Sequence, residues 1–283
     1  MKLGIFGINT GPCAAPETAA KVARAAEAAG FESVWTGEHV VLPDPQAPPS
    51  PAPPEHPMLD PAVALAFLAG QTKRLRLATG IIILPQRNPV VLAKELASVD
   101  VLSGGRLIAG VAAGYLKPEF DAIGASFETR GARTDEFIDV LRTLWTEEKP
   151  AFAGPSVRFS GIDAQPRPVQ KPHPPIVVGG TSPPALRRAA ARGNGWYGFL
   201  RDLEVAKADL AGLAAAERAV GRPSGLGALE TTITPLPRIG LDDARRYQDL
   251  GVDRLALLPS SRDEASLLRW IDETAEALVR KLA

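Results

Sequence analysis

Residues 29–34 read Ala-Gly-Phe-Glu-Ser-Val, and residues 250–255 read Leu-Gly-Val-Asp-Arg-Leu. Each run places a glycine just past a helical pattern, followed by an apolar residue, an acid and the start of a strand-like run. Glycine supplies the left-handed backbone that ends a helix, and the next apolar residue packs back against that helix. Residues 191–196, Ala-Arg-Gly-Asn-Gly-Trp, are a looser copy. The same helix-to-strand unit therefore recurs along the chain and near both of its ends.

Eight short strand-like runs alternate with helical patterns, which predicts a parallel sheet with crossover helices. Several are bare apolar runs, typical of strands buried on both faces. Eight such units followed by a terminal helix favour a (β/α)₈ TIM barrel, in the α/β class, over an open doubly wound sheet. The predicted strands are residues 3–8, 33–36, 75–82, 106–111, 176–178, 196–199, 229–233 and 254–258.

Two helices follow from the spacing of apolar residues, which recur at i, i+3, i+4 and i+7. They lie within residues 137–145 and residues 267–282. We expect the second, which is the last helix of the chain, to close the barrel against the first helix. The apolar positions are Phe137, Val140, Leu141, Leu144 and Trp145, and then Leu267, Leu268, Ile271, Ala275, Leu278, Val279 and Leu282.

Length and composition predict one soluble domain. The chain has 283 residues, 45% of them hydrophobic, and α/β barrels of this size fold as a single domain, here residues 1–283. Thirty-two basic and 32 acidic residues balance, which disfavours nucleic acid or a membrane surface as a partner. The N-terminus has no signal-peptide pattern and the apolar runs are too short to span a bilayer, so we expect a cytoplasmic protein. A single cysteine and three histidines without metal-ligand spacing predict no metal site.

Two insertions interrupt the alternation of strand and helix patterns. Residues 43–57 contain eight prolines, which prohibit a helix or a central strand. Because this loop follows the second strand, it either covers the C-terminal mouth of the barrel, where ligands bind, or is a disordered surface loop. Residues 151–175, before the fifth strand, are expected to be an extended segment.

The strongest phosphate signal is Val-Val-Gly-Gly-Thr-Ser-Pro-Pro at residues 177–184. A strand ends there in two glycines, followed by a capping Thr-Ser pair and proline at the first helical position. Backbone N–H groups of residues 179–182 would point at an anion, together with the N-terminus of the following helix. The alternative is a tight turn that binds nothing.

Glu38 and His39 end the second strand, so His39 is expected at the barrel mouth, where catalytic groups collect. A histidine donates or accepts a proton near neutral pH. The alternative is a histidine that only bonds to neighbouring backbone. Small residues in 80–85 and 110–115 would let a flat ring approach the third and fourth strands, or would merely allow close strand packing.

Several runs follow one another in a specific order: residues 28–35 with Glu38-His39, 78–81, 110–115 with Glu119-Phe120 and Gly124, 130–136, 144–145, 168–172, 179–182 and 195–197. In this order they resemble the luciferase-like monooxygenase superfamily. The resemblance covers residues 1 to about 200, and the remainder resembles a generic barrel end. Residues 114–120 (Gly-Tyr-Leu-Lys-Pro-Glu-Phe) and 179–183 (Gly-Gly-Thr-Ser-Pro) look most like the members that use the deazaflavin coenzyme F420.

The resemblance implies roles for particular residues. His39 falls where the family has a histidine facing the reactive ring, and Gly80-Ile81 falls where it has a non-proline cis peptide against that ring. Tyr115 replaces a glutamate acid of the relatives that oxidise sugar phosphates, which argues against that reaction and leaves Tyr115 as a hydrogen-bond donor or a packing residue. The cofactor phosphate falls at Gly179, Gly180 and Thr181, and the other expected cofactor contacts are Glu38, Thr79, Ala113, Gly114 and Phe199.

The resulting hypothesis is an F420-dependent oxidoreductase that moves a hydride between the deazaflavin and a small organic substrate. Catalysis is assigned to His39 and Tyr115. The first alternative is an FMN-dependent luciferase-like monooxygenase, and the second is a flavin- or deazaflavin-binding protein without turnover. A third is an unrelated phosphate-binding barrel enzyme. Relatives are often dimers, so a homodimer is a possible assembly.

Overall fold

The computed structural model describes residues 1–260 and 263–282, within which eight parallel strands close into a barrel. Each barrel strand pairs with its neighbour in chain order, and the first strand pairs with the last to complete the ring. The predicted (β/α)₈ barrel is therefore confirmed. The strands are β1 (Lys2–Phe6), β2 (Ser33–Trp35), β3 (Arg76–Ala78), β4 (Ile82–Ile83), β5 (Leu107–Ala112), β6 (Phe152–Ala153), β7 (Arg158–Phe159), β8 (Ile176–Gly179), β9 (Gly195–Arg201), β10 (Glu230–Pro235) and β11 (Arg254–Leu257).

Helices surround the barrel, and the last of them packs on the first as expected. Thr18 of the first helix donates a hydrogen bond at 2.8 Å to Glu264, the first residue of the C-terminal helical segment 264–282, and Lys21 lies 2.6 Å from the same carboxylate. The helices are α1 (Pro16–Ala29), α2 (Pro61–Ala69), α3 (Pro89–Ser103), α4 (Lys117–Ala122), α5 (Arg130–Thr146), α6 (Pro183–Arg192), α7 (Leu203–Val220), α8 (Leu241–Asp249), α9 (Glu264–Thr274), a π-helical turn (Ala275–Val279) and α10 (Arg280–Leu282).

The third barrel strand is not continuous over residues 75–82, which corrects the predicted range. It divides into β3 and β4, and both pieces pair with β5. Three residues, 79–81, stand between these pairings opposite only two, 109–110, so the strand carries a bulge. The peptide between Gly80 and Ile81 is cis, which confirms the expectation drawn from the resemblance.

The segment 151–175 is more structured than predicted. It contains a short antiparallel hairpin, β6 with β7, where the sequence indicated only an extended chain. Glu136 of α5 accepts hydrogen bonds from the N–H groups of Ser156 and Val157, at 2.8 and 2.9 Å. The hairpin turn is thus held by a side chain 20 residues away, which no local pattern could indicate.

Buried polar and aromatic groups fill the barrel and close the end at which its strands begin, the N-terminal end. Arg254 on β11 is fully buried and forms salt bridges with Glu32 and Glu230. Above it, Trp35 and Tyr197 stack with ring centroids 5.3 Å apart. With the interior filled below, the free space of the barrel lies at its C-terminal end.

Candidate active site

A cavity of about 1080 Å³ opens at the C-terminal end of the barrel strands. Its size is slightly above the roughly 300–1,000 Å³ typical of single small-molecule sites, so it has room for a cofactor and a small substrate. The proline-rich loop contributes to its wall, which favours the mouth-covering interpretation of that loop. The predicted residues that line it are Glu38, His39, Gly80, Ile81, Ala113, Gly114, Tyr115, Gly179, Gly180, Thr181 and Phe199.

The bulge after β3 forms one side of this cavity, and glycines make space for it. A Cβ on Gly110 would lie only 1.9 Å from the carbonyl oxygen of Thr79. A Cβ on Gly179 would lie 2.8 Å from the Cδ1 atom of Ile81. These distances are shorter than van der Waals contact, so a larger residue at position 110 or 179 would displace the bulge.

Two predicted cofactor residues support the bulge by hydrogen bonds. Thr79 does not line the cavity: it is fully buried, and its hydroxyl donates to the carbonyl of Gly110 at 2.7 Å. The expectation of a direct cofactor contact by Thr79 is therefore corrected to a supporting position. Glu38 lines the cavity, but its carboxylate accepts hydrogen bonds from the Ile83 N–H and the Arg87 guanidinium. Its oxygens are thus already engaged in fixing the segment beyond the bulge.

His39 is held between two other side chains. Its Nδ1 atom lies 3.3 Å from Oε2 of Glu119, and its Nε2 atom lies 3.4 Å from the hydroxyl of Tyr115. Glu119 lies on α4 and is fully buried, and its other oxygen accepts a hydrogen bond from the N–H of Val40. The three side chains form a connected series that runs from the barrel wall to the cavity.

The order of donors in this series follows from the chemistry of its ends. A carboxylate only accepts hydrogen bonds, so Nδ1 of His39 donates to Glu119 and Nε2 is left as an acceptor for Tyr115. Burial and the nearby Glu119 carboxylate raise the pKa of Tyr115, which keeps its hydroxyl protonated at neutral pH. The series can accept a proton at Tyr115 or deliver one there.

Glu119 was not among the predicted site residues, although it lies in the run that carries the resemblance. It stands four residues after Tyr115 at the start of α4, whose first residues include Pro118. Glu119 follows Tyr115, which lies at the mouth of the barrel, by about one helical turn. Together with a histidine expected at the same mouth, this spacing could have indicated a carboxylate partner for that histidine. Only the tertiary structure shows that this carboxylate turns inward.

The turn at residues 179–182 forms the opposite part of the cavity. Gly180 has φ of +112°, the left-handed region that favours glycine, and its N–H donates to the backbone carbonyl of Tyr197 at 3.2 Å. This N–H is therefore removed from the predicted anion donors. Among the described residues, none accepts a hydrogen bond from the N–H of Thr181 or Ser182, and Ser182 is the N-cap residue of α6.

A guanidinium group borders the same cavity. Arg130 donates to the carbonyls of Gly114 and Phe127 and has no carboxylate partner within the described part of the chain. Arg188 of α6 is paired with Asp135 at 2.7 Å and also donates to the carbonyl of Gly131, next to Arg130. Free N–H groups, a helix N-terminus and an unpaired guanidinium fit a phosphate group.

Two other features are absent from residues 1–260 and 263–282. These residues contain no group of three His, Cys, Asp or Glu side chains placed to hold a metal ion. They also contain no helix with the length and apolarity that a bilayer crossing requires.

The barrel and its cavity define the class of protein, and comparison with known families identifies it. The family described as luciferase-like monooxygenase matches residues 1–278, and the chain belongs to this family. It is an enzyme of the luciferase-like oxidoreductase type, which works with a flavin-type cofactor. An uncharacterised protein of Mycobacterium tuberculosis is 30% identical over 270 residues, which are 92% of this chain and 94% of that protein.

Two further similarities point to different cofactors. An FMNH₂-dependent dimethylsulfone monooxygenase of Pseudomonas putida is 38% identical over 138 residues, covering 48% of this chain and 37% of that enzyme. The solved structure of an F420-dependent secondary alcohol dehydrogenase, in complex with an F420-acetone adduct, superposes with a TM-score of 0.78. It covers 98% of both chains at 17% identity, so this likeness shows the fold alone.

Proposed function

We propose that the protein is an F420-dependent oxidoreductase that moves a hydride between the deazaflavin and a small organic substrate. The observation that carries this proposal is the Glu119–His39–Tyr115 series ending in the cavity. Hydride transfer to or from a carbon that bears oxygen requires a proton to move at that oxygen. The series supplies a protonated hydroxyl at the cavity and a histidine behind it.

In this proposal the cofactor supplies the hydride donor or acceptor, and the protein handles the proton. When an alcohol is oxidised, Tyr115 accepts the substrate hydroxyl proton and passes its own proton to the free Nε2 of His39; when a carbonyl is reduced, the imidazolium form of His39 returns that proton to Tyr115 as Tyr115 donates to the carbonyl oxygen. Glu119 holds the His39 ring and stabilises its positive charge while the proton is in transit. Thr181, Ser182 and Arg130 would bind the phosphate of the cofactor, and the bulge at Gly80-Ile81 would lie against its ring system.

Titration of the purified protein with F420 and with FMN tests the cofactor. The intrinsic fluorescence of the tryptophans follows binding, because Trp35 and Trp196 are buried in the barrel walls. F420 should bind at least about tenfold more tightly than FMN, a preference of about 1.4 kcal/mol. Equal or reversed affinities would transfer the assignment to FMN.

The alternative function is an FMN-dependent monooxygenase, and the Pseudomonas putida relative supports it. The two functions differ in their co-reactant, since a monooxygenase consumes oxygen and a deazaflavin oxidoreductase does not. Oxygen uptake measured with reduced FMN, against hydride transfer measured by F420 absorbance without oxygen, distinguishes them. Tight cofactor binding without either reaction would favour the non-catalytic binding protein.

A further inference from the structure

We propose that the cavity has a substrate subsite on one defined wall, and that it takes an uncharged, mainly apolar molecule with one carbonyl or hydroxyl oxygen. The apolar wall comprises the cavity-lining residues in the ranges 5–13 and 51–58. This proposal rests on the proposed function, because it names the class of substrate for the same site. The residues of the wall are Ile5, Phe6, Gly7, Ile8, Thr10, Gly11, Pro12, Cys13, Pro51, Ala52, Pro53, His56 and Met58.

The proline-rich loop is fixed to the barrel at the end that forms this wall. The side chain of Asn9 is fully buried and donates to the carbonyls of Gly37 and Leu59, at 2.9 and 2.6 Å, while it accepts from the Gly37 N–H at 2.8 Å. The N–H of Gly11 donates to the carbonyl of Pro57 at 3.0 Å. One buried amide thus joins the ends of two barrel strands to the loop.

The apolar wall reaches the proton-handling residues without a break. The rings of Phe6 and Phe199 lie 4.9 Å apart, and a Cβ on Gly37 would lie 3.5 Å from Phe6 and 3.8 Å from Met58. The backbone N–H of His39 donates to the sulfur of Met58 at 3.1 Å. A molecule on this wall therefore lies beside His39, with Tyr115 at its polar end.

The distribution of charge in the cavity selects the class of molecule. Of the described residues that form the apolar wall, none is Lys, Arg, Asp or Glu. The cavity-lining arginines lie elsewhere, on α5, α6 and at the end of β9. A carboxylate on the apolar wall would lose much of its hydration, and among the described residues of that wall it would meet only the half-buried His56 as a possible cationic partner, so its binding is disfavoured. An apolar body gains from burial there, and the flexible Met58 adapts to its shape.

The reaction expected of such a molecule balances with the proposed cofactor. When a ketone is reduced, the carbonyl carbon accepts a hydride from the reduced deazaflavin, and the carbonyl oxygen accepts the proton of Tyr115. The product is the secondary alcohol and the oxidised deazaflavin. In the reverse direction the alcohol carbon gives its hydride to the oxidised deazaflavin, its hydroxyl proton goes to Tyr115, and Tyr115 passes its own proton to Nε2 of His39.

A matched pair of probes tests the proposal: 2-octanone and 7-oxooctanoate, which share an eight-carbon ketone and differ by a terminal carboxylate. The melting temperature of the protein loaded with F420 should rise with 2-octanone, since a ligand that binds the folded state stabilises it. The carboxylate probe should require at least about tenfold higher concentration for the same rise. Equal binding of the two probes, or no rise with 2-octanone, would overturn the subsite.

Variants of Met58 sharpen the test. Met58→Lys should shift the preference toward 7-oxooctanoate, whereas Met58→Leu, which adds no charge, should keep the wild-type order. Val63→Lys adds the same charge on α2, where the side chain is 67% exposed. The concentrations of 2-octanone and 7-oxooctanoate that give the same rise in melting temperature should then stay as in the wild type. If Met58→Lys and Val63→Lys behave alike, the assigned position of the wall is wrong.

The same experiment separates this proposal from the proposed function. Selective binding of 2-octanone with no change in F420 absorbance would leave the subsite standing and remove the redox assignment. Turnover that prefers 7-oxooctanoate would support the redox assignment, because hydride transfer would take place, and it would overturn the subsite, because the charge argument would fail.

Discussion

The rings of Tyr115 and His39 meet at 81°, with their centroids 5.8 Å apart. This edge-to-face arrangement brings the phenol oxygen to 3.4 Å from Nε2 of His39, which parallel stacking would not do. Tyr115 is about half exposed, whereas the His39 side chain is 9% exposed. A proton can therefore pass from the cavity to a ring that water scarcely reaches.

His39→Ala removes the middle of the series. Turnover should fall roughly 10²–10⁴-fold, the usual contribution of a positioned acid or base. Cofactor affinity should change much less, because the phosphate donors lie at the N-termini of α5 and α6. Turnover, affinity and melting temperature should be measured on one preparation. A purely structural histidine would lower the melting temperature and leave turnover within threefold of the wild type.

Glu119→Gln tests the positioning of His39. A neutral amide no longer stabilises the imidazolium, so turnover should fall at least about tenfold and the pH profile of kcat should change. Asp121→Asn is the matched control: it removes a carboxylate from the same helix at an exposed position paired with Lys117. A loss of stability with an unchanged pH profile would assign Glu119 to packing alone.

Gly180→Asp places a carboxylate at the anion-binding turn, where φ is +112°. Cofactor affinity should fall by at least about tenfold, since negative charge opposes a phosphate at a helix N-terminus. Gly180→Ala separates backbone strain from charge, and Gly225→Asp adds the same residue where a Cβ meets open space. Wild-type affinity in a folded Gly180→Asp protein would show that the turn binds no anion.

Gly110→Ala should destabilise the protein by about 1–3 kcal/mol, the usual range for overpacking a tight interior. The added methyl would collide with the carbonyl oxygen of Thr79. Urea unfolding measures the change, and Gly225→Ala provides the control at an open position. An undiminished free energy of unfolding would mean that the bulge relaxes freely.

Cys13 lines the cavity but should resist alkylation. Burial, assisted by the Glu264 carboxylate, raises the pKa of its thiol to about 12. The thiolate is the nucleophile, so reaction with iodoacetamide should stay slow at pH 8 and accelerate only as the pH approaches that pKa. The same protein in urea, where the thiol regains an ordinary pKa, is the reference. Equal rates in the folded and unfolded states would contradict the burial.

Local patterns allowed a large part of this molecule to be predicted. Alternating strand and helix signals led to the barrel, and the glycine-serine-proline turn led to the free N–H groups at Thr181 and Ser182. His39 could be placed at the mouth because it follows a barrel strand, β2, by only four residues. Such features depend on backbone conformation and burial, which neighbouring residues largely decide.

The hydrogen-bond partners of the side chains in the site could not be predicted from local sequence patterns. Glu38 was predicted to contact the cofactor, yet Arg87, 49 residues later, occupies its carboxylate. Thr79 was expected in the site, yet its hydroxyl is taken by Gly110 on the neighbouring strand. The partner of a side chain across a barrel depends on the register between strands, and a bulge of one residue changes that register.

The sequence by itself therefore determined the barrel, its mouth and the residue types gathered there, because repeated local units carry that information. Only the tertiary structure decided that Glu119, 80 residues from His39, holds its ring. It alone also decided that Asn9 fixes the proline-rich loop as a wall. These relationships depend on where the closing of the ring places α4 and the loop, and closure is a property of all eight strands together.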